Sequence, residues 1–233
     1  MKRSFDIYYE DKDMIVVIKK SGLLSVATDK DDRHNLYHYV REYLNNKKQK
    51  VFIVHRLDKD TSGLVVFAKS IAMKEKLQAC FENGNVLRHY EAIVKEHIEP
   101  GKRMKVEQYL AFDPKSGNVY VTKDKEKGKR AVTYLQCDHT NKLGSVLNID
   151  IKTGRRNQIR LACKTLGLTL IGDSKYANDK AKRMFLNEYE LEFPKECNLR
   201  KSRFALEPLW LSSKKMKTVK KENNCEDKPK QLE

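Results

Sequence analysis

The stretch Val51-Phe-Ile-Val-His-Arg-Leu-Asp58-Lys-Asp-Thr-Ser-Gly63-Leu-Val-Val-Phe-Ala68 sets a tight polar knot between two apolar runs. Val51 to Val54 and Leu64 to Ala68 are short, rich in β-branched and aromatic residues, and bounded by turn formers, which is the signature of buried strands. Between them, Asp60, Thr61 and Ser62 are able to bond their own backbone and Gly63 to adopt positive φ, so the chain turns there. Arg56 and Asp58 therefore stand where a buried strand gives way to a loop, a rigid platform for functional side chains. On these residues alone, Asp58 reads equally as a turn cap or a working carboxylate, and Arg56 as a surface cation or a ligand contact.

A chain of 233 residues, 39% of them hydrophobic, has enough apolar material for one sizeable core. One body over residues 1–211 is expected, followed by a basic, aromatic-free tail over 212–233 that is expected to be disordered. A formal net charge of +16 points to a polyanionic partner, with a solvated basic surface as the plainer reading. Only seven of the 48 Lys and Arg, and four of the 32 Asp and Glu, fall in residues 214–233, so the body itself carries +13. Between Asp150 and Arg183, nine Lys and Arg face three Asp, which concentrates the charge around one candidate motif. The five cysteines, at 80, 137, 163, 197 and 225, form no C-x-x-C pair and no metal-ligand spacing with the six histidines. They are expected to be reduced and mostly structural. The apolar run Met14 to Ile18 is far too short for a signal or membrane segment, so a cytoplasmic location is expected.

Taken in order, Ile7 to Glu10 and Met14 to Ile18 read as strands around a polar turn, followed by a Gly-containing turn over Lys19 to Leu24. His34 to Leu44 has helical spacing, and Ser70 is placed to cap a helix from Ile71 to Phe81. Val86 to Val94 alternates, with Tyr90, Ala92 and Val94 on one side and His89, Glu91 and Ile93 on the other, a half-buried strand in which Tyr90 is simply an aromatic. Tyr109 to Phe112, Val119 to Thr122, Ala131 to Leu135 and Val146 to Ile151 read as short strands. The lysine-rich run Lys123 to Arg130 is either a solvated hairpin end or a grip on phosphates. Lys152 to Leu161 follows a strand and enters a helix with Ile159, Cys163 and Leu166 on one face, ended by Gly167. Leu168 to Ile171 reads as a further strand, and Leu206 to Leu211 as the last stretch able to pack.

Two of these stretches are specific. His55-Arg-Leu-Asp-Lys-Asp-Thr-Ser-Gly63 resembles the signature H-R-L-D-x-x-T-S-G of RluA-type RNA pseudouridine synthases. Thr153-Gly-Arg-Arg-Asn-Gln-Ile-Arg160 resembles that family's T-G-R-x-H-Q-I-R, with Asn157 where His is usual. Looser matches run from the opening Tyr9-Glu-Asp11, where Lys20 replaces a usual proline, through Arg88 to Val94 and Gly172-Asp-Ser-Lys-Tyr176 to Leu186 to Phe193, where Asn187 again replaces His. The resemblance starts almost at residue 1, so the chain is expected to be a catalytic domain without the S4-type domain that many members carry in front. It implies Asp58, Tyr90 and Arg160 as the catalytic set: Asp58 reacts, Tyr90 stacks under the target base, and Arg160 pairs with Asp58 and lowers its pKa. Arg56 is implied beside a flipped nucleotide, and His55, Thr61, Arg155, Ile159 and Leu161 around the substrate, with Asp173 and Tyr176 as braces.

Alternating strands with few helices suggest an α+β body around a mostly antiparallel sheet, and the family fold, a mixed sheet flanked by helices around a central basic cleft, agrees. No phosphate-loop, nucleophile-elbow or dinucleotide-binding glycine pattern competes. Pseudouridine formation breaks the bond from ribose C1′ to the uracil nitrogen, turns the base and rejoins it through C5. Nothing is added or lost, so no cofactor and no metal are expected. A stacked uridine must be flipped out to be reached. The expected partner is ribosomal or transfer RNA, with no membrane, and the chain is expected to be a monomer. One rival reading is a non-catalytic RNA-binding or ribosome-assembly protein on the same fold. A weaker one is an Asp-nucleophile hydrolase, which lacks a positioned histidine or second carboxylate motif here.

Overall fold

A computed structural model describes residues 5–27 and 33–211 of the chain. The tail expected over 212–233, Cys225 included, lies outside the described residues. Eleven strands form one sheet: β1 (Asp6–Glu10), β2 (Met14–Lys19), β3 (Phe52–Ile53), β4 (Ser62–Ala68), β5 (Leu87–Val94), β6 (Arg103–Asp113), β7 (Asn118–Thr122), β8 (Lys129–Asn141), β9 (Gly144–Ile151), β10 (Leu186–Glu192) and β11 (Arg203–Ala205). The order across it is β1-β2-β4-β10-β5-β9-β8-β6-β7, with β3 added to β4 and β11 to β10. Every pairing is antiparallel except β4 with β10, so the α+β, mostly antiparallel expectation holds.

The period of two sorts the central strands onto two cores. In β2 and β4, Ile15, Val17, Val65 and Phe67 join Leu36, Val40 and Leu44 of helix α1 (Leu36–Asn45) and Ile159, Ala162 and Cys163 of α3 (Gln158–Thr165). Met14, Val16, Leu64, Val66 and Ala68 instead meet Leu77 of α2 (Ile71–Glu82). Such strands are buried on both faces, which is why they read as unbroken apolar runs. Local capping follows the sequence: Ser70 accepts from the Met73 amide at 3.1 Å, and Asn35 from the His38 amide at 2.9 Å.

The parallel junction places the site. Ser62 and Gly63 pair with Asn187 and Glu188. Gly63 has φ of +124°, and a Cβ there would meet the Glu188 carbonyl oxygen at 2.2 Å, so only glycine lets β4 enter the sheet beside β10. The Asp58 loop thereby ends against the middle of the sheet.

Several expectations change. β3 keeps only Phe52–Ile53, and β6 and β8 run to 11 and 13 residues, with their buried polar residues Gln108 and Thr133 accepting from Thr165 and Gln158 of α3 at 2.8 and 3.0 Å. Leu168 to Ile171 is not a strand: Gly167 and Gly172, both at positive φ, bend the chain on either side, and Leu170 alone bridges to Val94. β5 is buried on both sides from Tyr90 to Val94, because residues 209–211 cover the face that the alternation left to solvent. Cys80 and Cys197 form a disulfide across 117 residues, correcting the reduced state expected for them, while Cys137 and Cys163 are buried thiols. The end of α2 packs beside the 3₁₀ turn Lys195–Cys197, a meeting that sequence spacing does not encode.

Candidate active site

Asp58 lies in the loop between β3 and β4, and the backbone around it is bonded residue by residue. Ser25 Oγ donates to the Leu57 carbonyl at 2.7 Å and accepts from the Leu57 amide at 3.1 Å. The Thr61 amide closes on the Asp58 carbonyl at 3.2 Å, the Gly22 amide donates to Lys59 O at 3.0 Å, and Ser21 Oγ to Asp60 O at 2.6 Å. Lys19, fully buried at the end of β2, adds Nζ bonds to the carbonyls of Lys20, Leu23 and Lys59 at 3.0, 2.7 and 2.8 Å. Burial pulls its pKa down to about 7, against Asp60 and Asp58, which raise it. The turn over 19–25 and the Asp58 loop are therefore one hydrogen-bonded unit.

Asp58 lines a cavity of about 90 Å³ with Arg56, Thr61, Tyr90, Arg155, Ile159 and Arg160. Leu57, Ile151, Ile159 and Leu186 supply apolar wall, and five arginines, at 56, 88, 155, 156 and 160, surround the single carboxylate. Arg56, Arg155 and Arg156 are exposed at the mouth, whereas Arg160 is buried. The basic cleft expected from the charge count thus has a definite place.

Arg160 does not pair with Asp58, which corrects the expected ion pair. Its Nε and Nη2 donate to the two oxygens of Asp173 at 2.9 and 2.6 Å, and its Nη1 to Asn157 Oδ1 at 3.2 Å. A bidentate carboxylate plus an amide oxygen engages the guanidinium on all sides. Among the groups that favour the ionised form of Asp58 is the main-chain N–H of Asn157, the residue before α3, which sits in the left-handed region at φ of 57°. Asparagine tolerates that conformation better than most residues. Its side chain also donates to Tyr176 Oη at 2.9 Å, and Tyr176 in turn donates to the Val119 carbonyl at 3.1 Å. Asp173 and Tyr176 brace the site as expected.

Burial raises the Asp58 carboxyl above its ordinary value of 3.8, although Arg160, the Asn157 amide, Arg156 and Arg56 all pull it down. The lowered pKa expected for Asp58 is thus reversed: desolvation outweighs the arginines because none of them makes a direct pair.

A second buried network lies under the cavity. Arg88 Nε donates to Glu188 Oε1 at 2.7 Å, and Arg88 Nη2 donates to the Tyr90 hydroxyl. Burial raises Tyr90 well above 10, Glu188 and Asp58 add to this, and Arg88 opposes it, so Tyr90 stays protonated. Burial raises Glu188 too, against Arg88. Neither Arg88, Glu188 nor Lys19 stood out as a site residue in the sequence. Arg88 carried one weak signal, a basic residue two before Tyr90, and Glu188 carried none.

Two expected substrate contacts are not on the cavity wall. His55 is turned inward: its Nε2 accepts from the Val66 amide at 3.0 Å and its ring stacks on Phe81 at 4.6 Å. Leu161, on the far side of α3 from the cavity, packs with Leu110, Val119 and Ala131. Both support the residues that line the site.

Residues 13–165 match the RNA pseudouridylate synthase family. Ribosomal large subunit pseudouridine synthase C of Rickettsia bellii is 35% identical over 208 residues, covering 83% of this chain and 66% of that protein. An uncharacterized RNA pseudouridine synthase of Zymomonas mobilis is 34% identical over 191 residues, covering 80% of this chain and 86% of its own length. The chain thus spans about two thirds of the Rickettsia relative and most of the Zymomonas one. Human RNA pseudouridylate synthase domain containing 1 shares the fold, with a TM-score of 0.68 at 22% identity, covering 89% of this chain and 92% of that one. Both specific motifs fall inside the matched region, and the fold carries them to one cavity: the chain belongs to the RNA pseudouridylate synthase family.

Proposed function

We propose that this chain is an RNA pseudouridine synthase that isomerises particular uridines in ribosomal or transfer RNA, with Asp58 as the reacting carboxylate. The observation that carries the reading is one carboxylate, anchored through its loop backbone, among five arginines in a small cavity walled by Tyr90. A relative named for the ribosomal large subunit favours ribosomal RNA.

The residues divide the work. Arg155 and Arg156 at the mouth meet phosphates, and exposed Arg56 braces the gap left by a flipped nucleotide. Tyr90, its hydroxyl held by Arg88, offers a ring face to the base. Ionised Asp58 then acts as nucleophile or base while the C1′–N1 bond breaks, the C1′–C5 bond forms and the C5 proton passes to N1. Every atom is conserved, so the reaction calls for no cofactor. Arg160, locked to Asp173, supplies fixed positive charge nearby.

Asp58→Asn tests this directly, being nearly isosteric but without the charge. Pseudouridine mapped across ribosomal and transfer RNA is expected to vanish at specific positions while RNA binding persists. Turnover near wild type in the variant, or no position lost on deletion of the gene, rejects the assignment.

A further inference from the structure

Glu91 stands beside Tyr90 in β5 but points to the opposite face of the sheet, and it is completely buried. Its Oε1 accepts from Asn187 Nδ2 and from the Leu209 amide, both at 2.8 Å. Its Oε2 accepts from the amides of Trp210 and Leu211 at 2.7 and 3.3 Å. One carboxylate thus gathers three successive backbone N–H groups of the segment near residue 211 and one side-chain amide. The segment is also seated on apolar groups, with Trp210 5.3 Å from Phe185 and packed near Ile93 and Val146.

The network does not stop at the strap. Asn187 Oδ1 accepts from Ser62 Oγ at 2.9 Å, and Arg183 Nη2 donates to the same Ser62 Oγ at 3.1 Å. Ser62 follows Thr61, which lines the cavity, and its backbone pairs with Asn187 at the parallel junction. A continuous buried path therefore runs from residues 209–211 through Glu91 and Asn187 to the end of the Asp58 loop.

We infer that Glu91 is a positioning residue for the isomerisation: acting through Asn187 and Ser62 from the back of the sheet, it fixes the junction at which the Asp58 loop enters β4. The inference rests on Asp58 as the reacting carboxylate. Glutamine is the informative replacement, because each oxygen of Glu91 accepts two N–H groups, and an NH₂ in either place sets donor against donor. Relief requires the strap or Asn187 to move, and a shift at Ser62 is passed to the loop.

The test uses the full chain and unmodified ribosomal and transfer RNA transcripts, with turnover and half-saturating RNA concentration measured separately. Trp210, the single tryptophan, reports strap docking by its emission. Glu91→Gln is expected to lower turnover about tenfold or more while the half-saturating concentration stays within about twofold. Ser62→Ala, which leaves the strap contacts alone, is expected to lower turnover likewise, and the double variant to be little slower than the slower single one, as for residues on one path. A Glu91→Gln chain with shifted Trp210 emission but turnover within about twofold of wild type overturns the inference. So does a double variant whose losses multiply. If Glu91→Gln fails to fold, wild-type turnover in Ser62→Ala overturns it alone. An active Asp58→Asn chain would instead reject the reading on which the inference rests.

Discussion

Arg160 and Asp173 lie 13 residues apart and meet in a bidentate pair at 2.9 and 2.6 Å, whereas Arg88 and Glu188 lie 100 residues apart and meet across β5 and β10 through one close contact at 2.7 Å. Both pairs sit beside Asp58, and their surroundings differ. Asp173 also accepts from the amides of Lys175 and Tyr176, at 3.0 and 2.9 Å, so its turn satisfies it even without the arginine. Burial alone would raise Asp173, but these bonds and Arg160 hold it low. Glu188 is fully buried, and among the described residues its carboxylate accepts its hydrogen bonds from Arg88. The contrast separates a pair that positions a charge from a pair that holds the sheet.

If so, Arg88→Met should do the greater damage to folding. It leaves a buried carboxylate without a cation, at a cost of about 3–5 kcal/mol, readable as a lower midpoint in denaturant unfolding. Adding Glu188→Leu should restore much of that loss. Arg160→Met should cost less, about 1–3 kcal/mol, yet cut turnover while RNA affinity persists. A larger stability loss for Arg160→Met than for Arg88→Met would collapse the distinction.

The pH dependence tests what the two pairs leave to Asp58. Its carboxyl is raised above 3.8, and only the ionised form reacts, so the acid limb of the rate profile should lie above that of an ordinary aspartate. Stability should move the other way. The folded chain holds this proton more tightly than the unfolded one, so its contribution is present below 3.8 and is lost as pH rises through the raised value. Asp58→Asn, which is expected to be inactive, should remove the stability trend, and a wild-type acid limb at or below 3.8 would contradict the burial argument. At Asn157, Gly keeps the left-handed backbone but loses the side-chain bonds to Arg160 and Tyr176, so it should cost about 1–3 kcal/mol, and Ala about 1 kcal/mol more, measured by thermal melting.

The cap at Ser70, the alternation of β5 and the turn between β3 and β4 were legible because each is written within a few neighbouring residues. The two motifs pointed to Asp58 and Arg160, and the looser match over Arg88 to Val94 to Tyr90; all three line one cavity. The partner of Arg160 was not legible in the same way: Asp58 and Asp173 are both carboxylates that the chain brings near, and only side-chain reach decides between them. His55 opens the first motif and Leu161 follows the second, but their side chains face the core.

By itself, the sequence of this chain determined where most of the central strands and helices lie, and that a carboxylate and several arginines are presented on loops and on one helix start. Those properties follow from local backbone preference and from the period of two. Tertiary structure alone decided that Glu188 meets Arg88, that Cys197 meets Cys80, that Arg160 pairs with Asp173, and that Glu91 clasps residues 209–211. Each joins groups from separate elements or loops, and such pairings are chosen by the packing of the sheet and the demand that buried polar groups find partners, which no local pattern records.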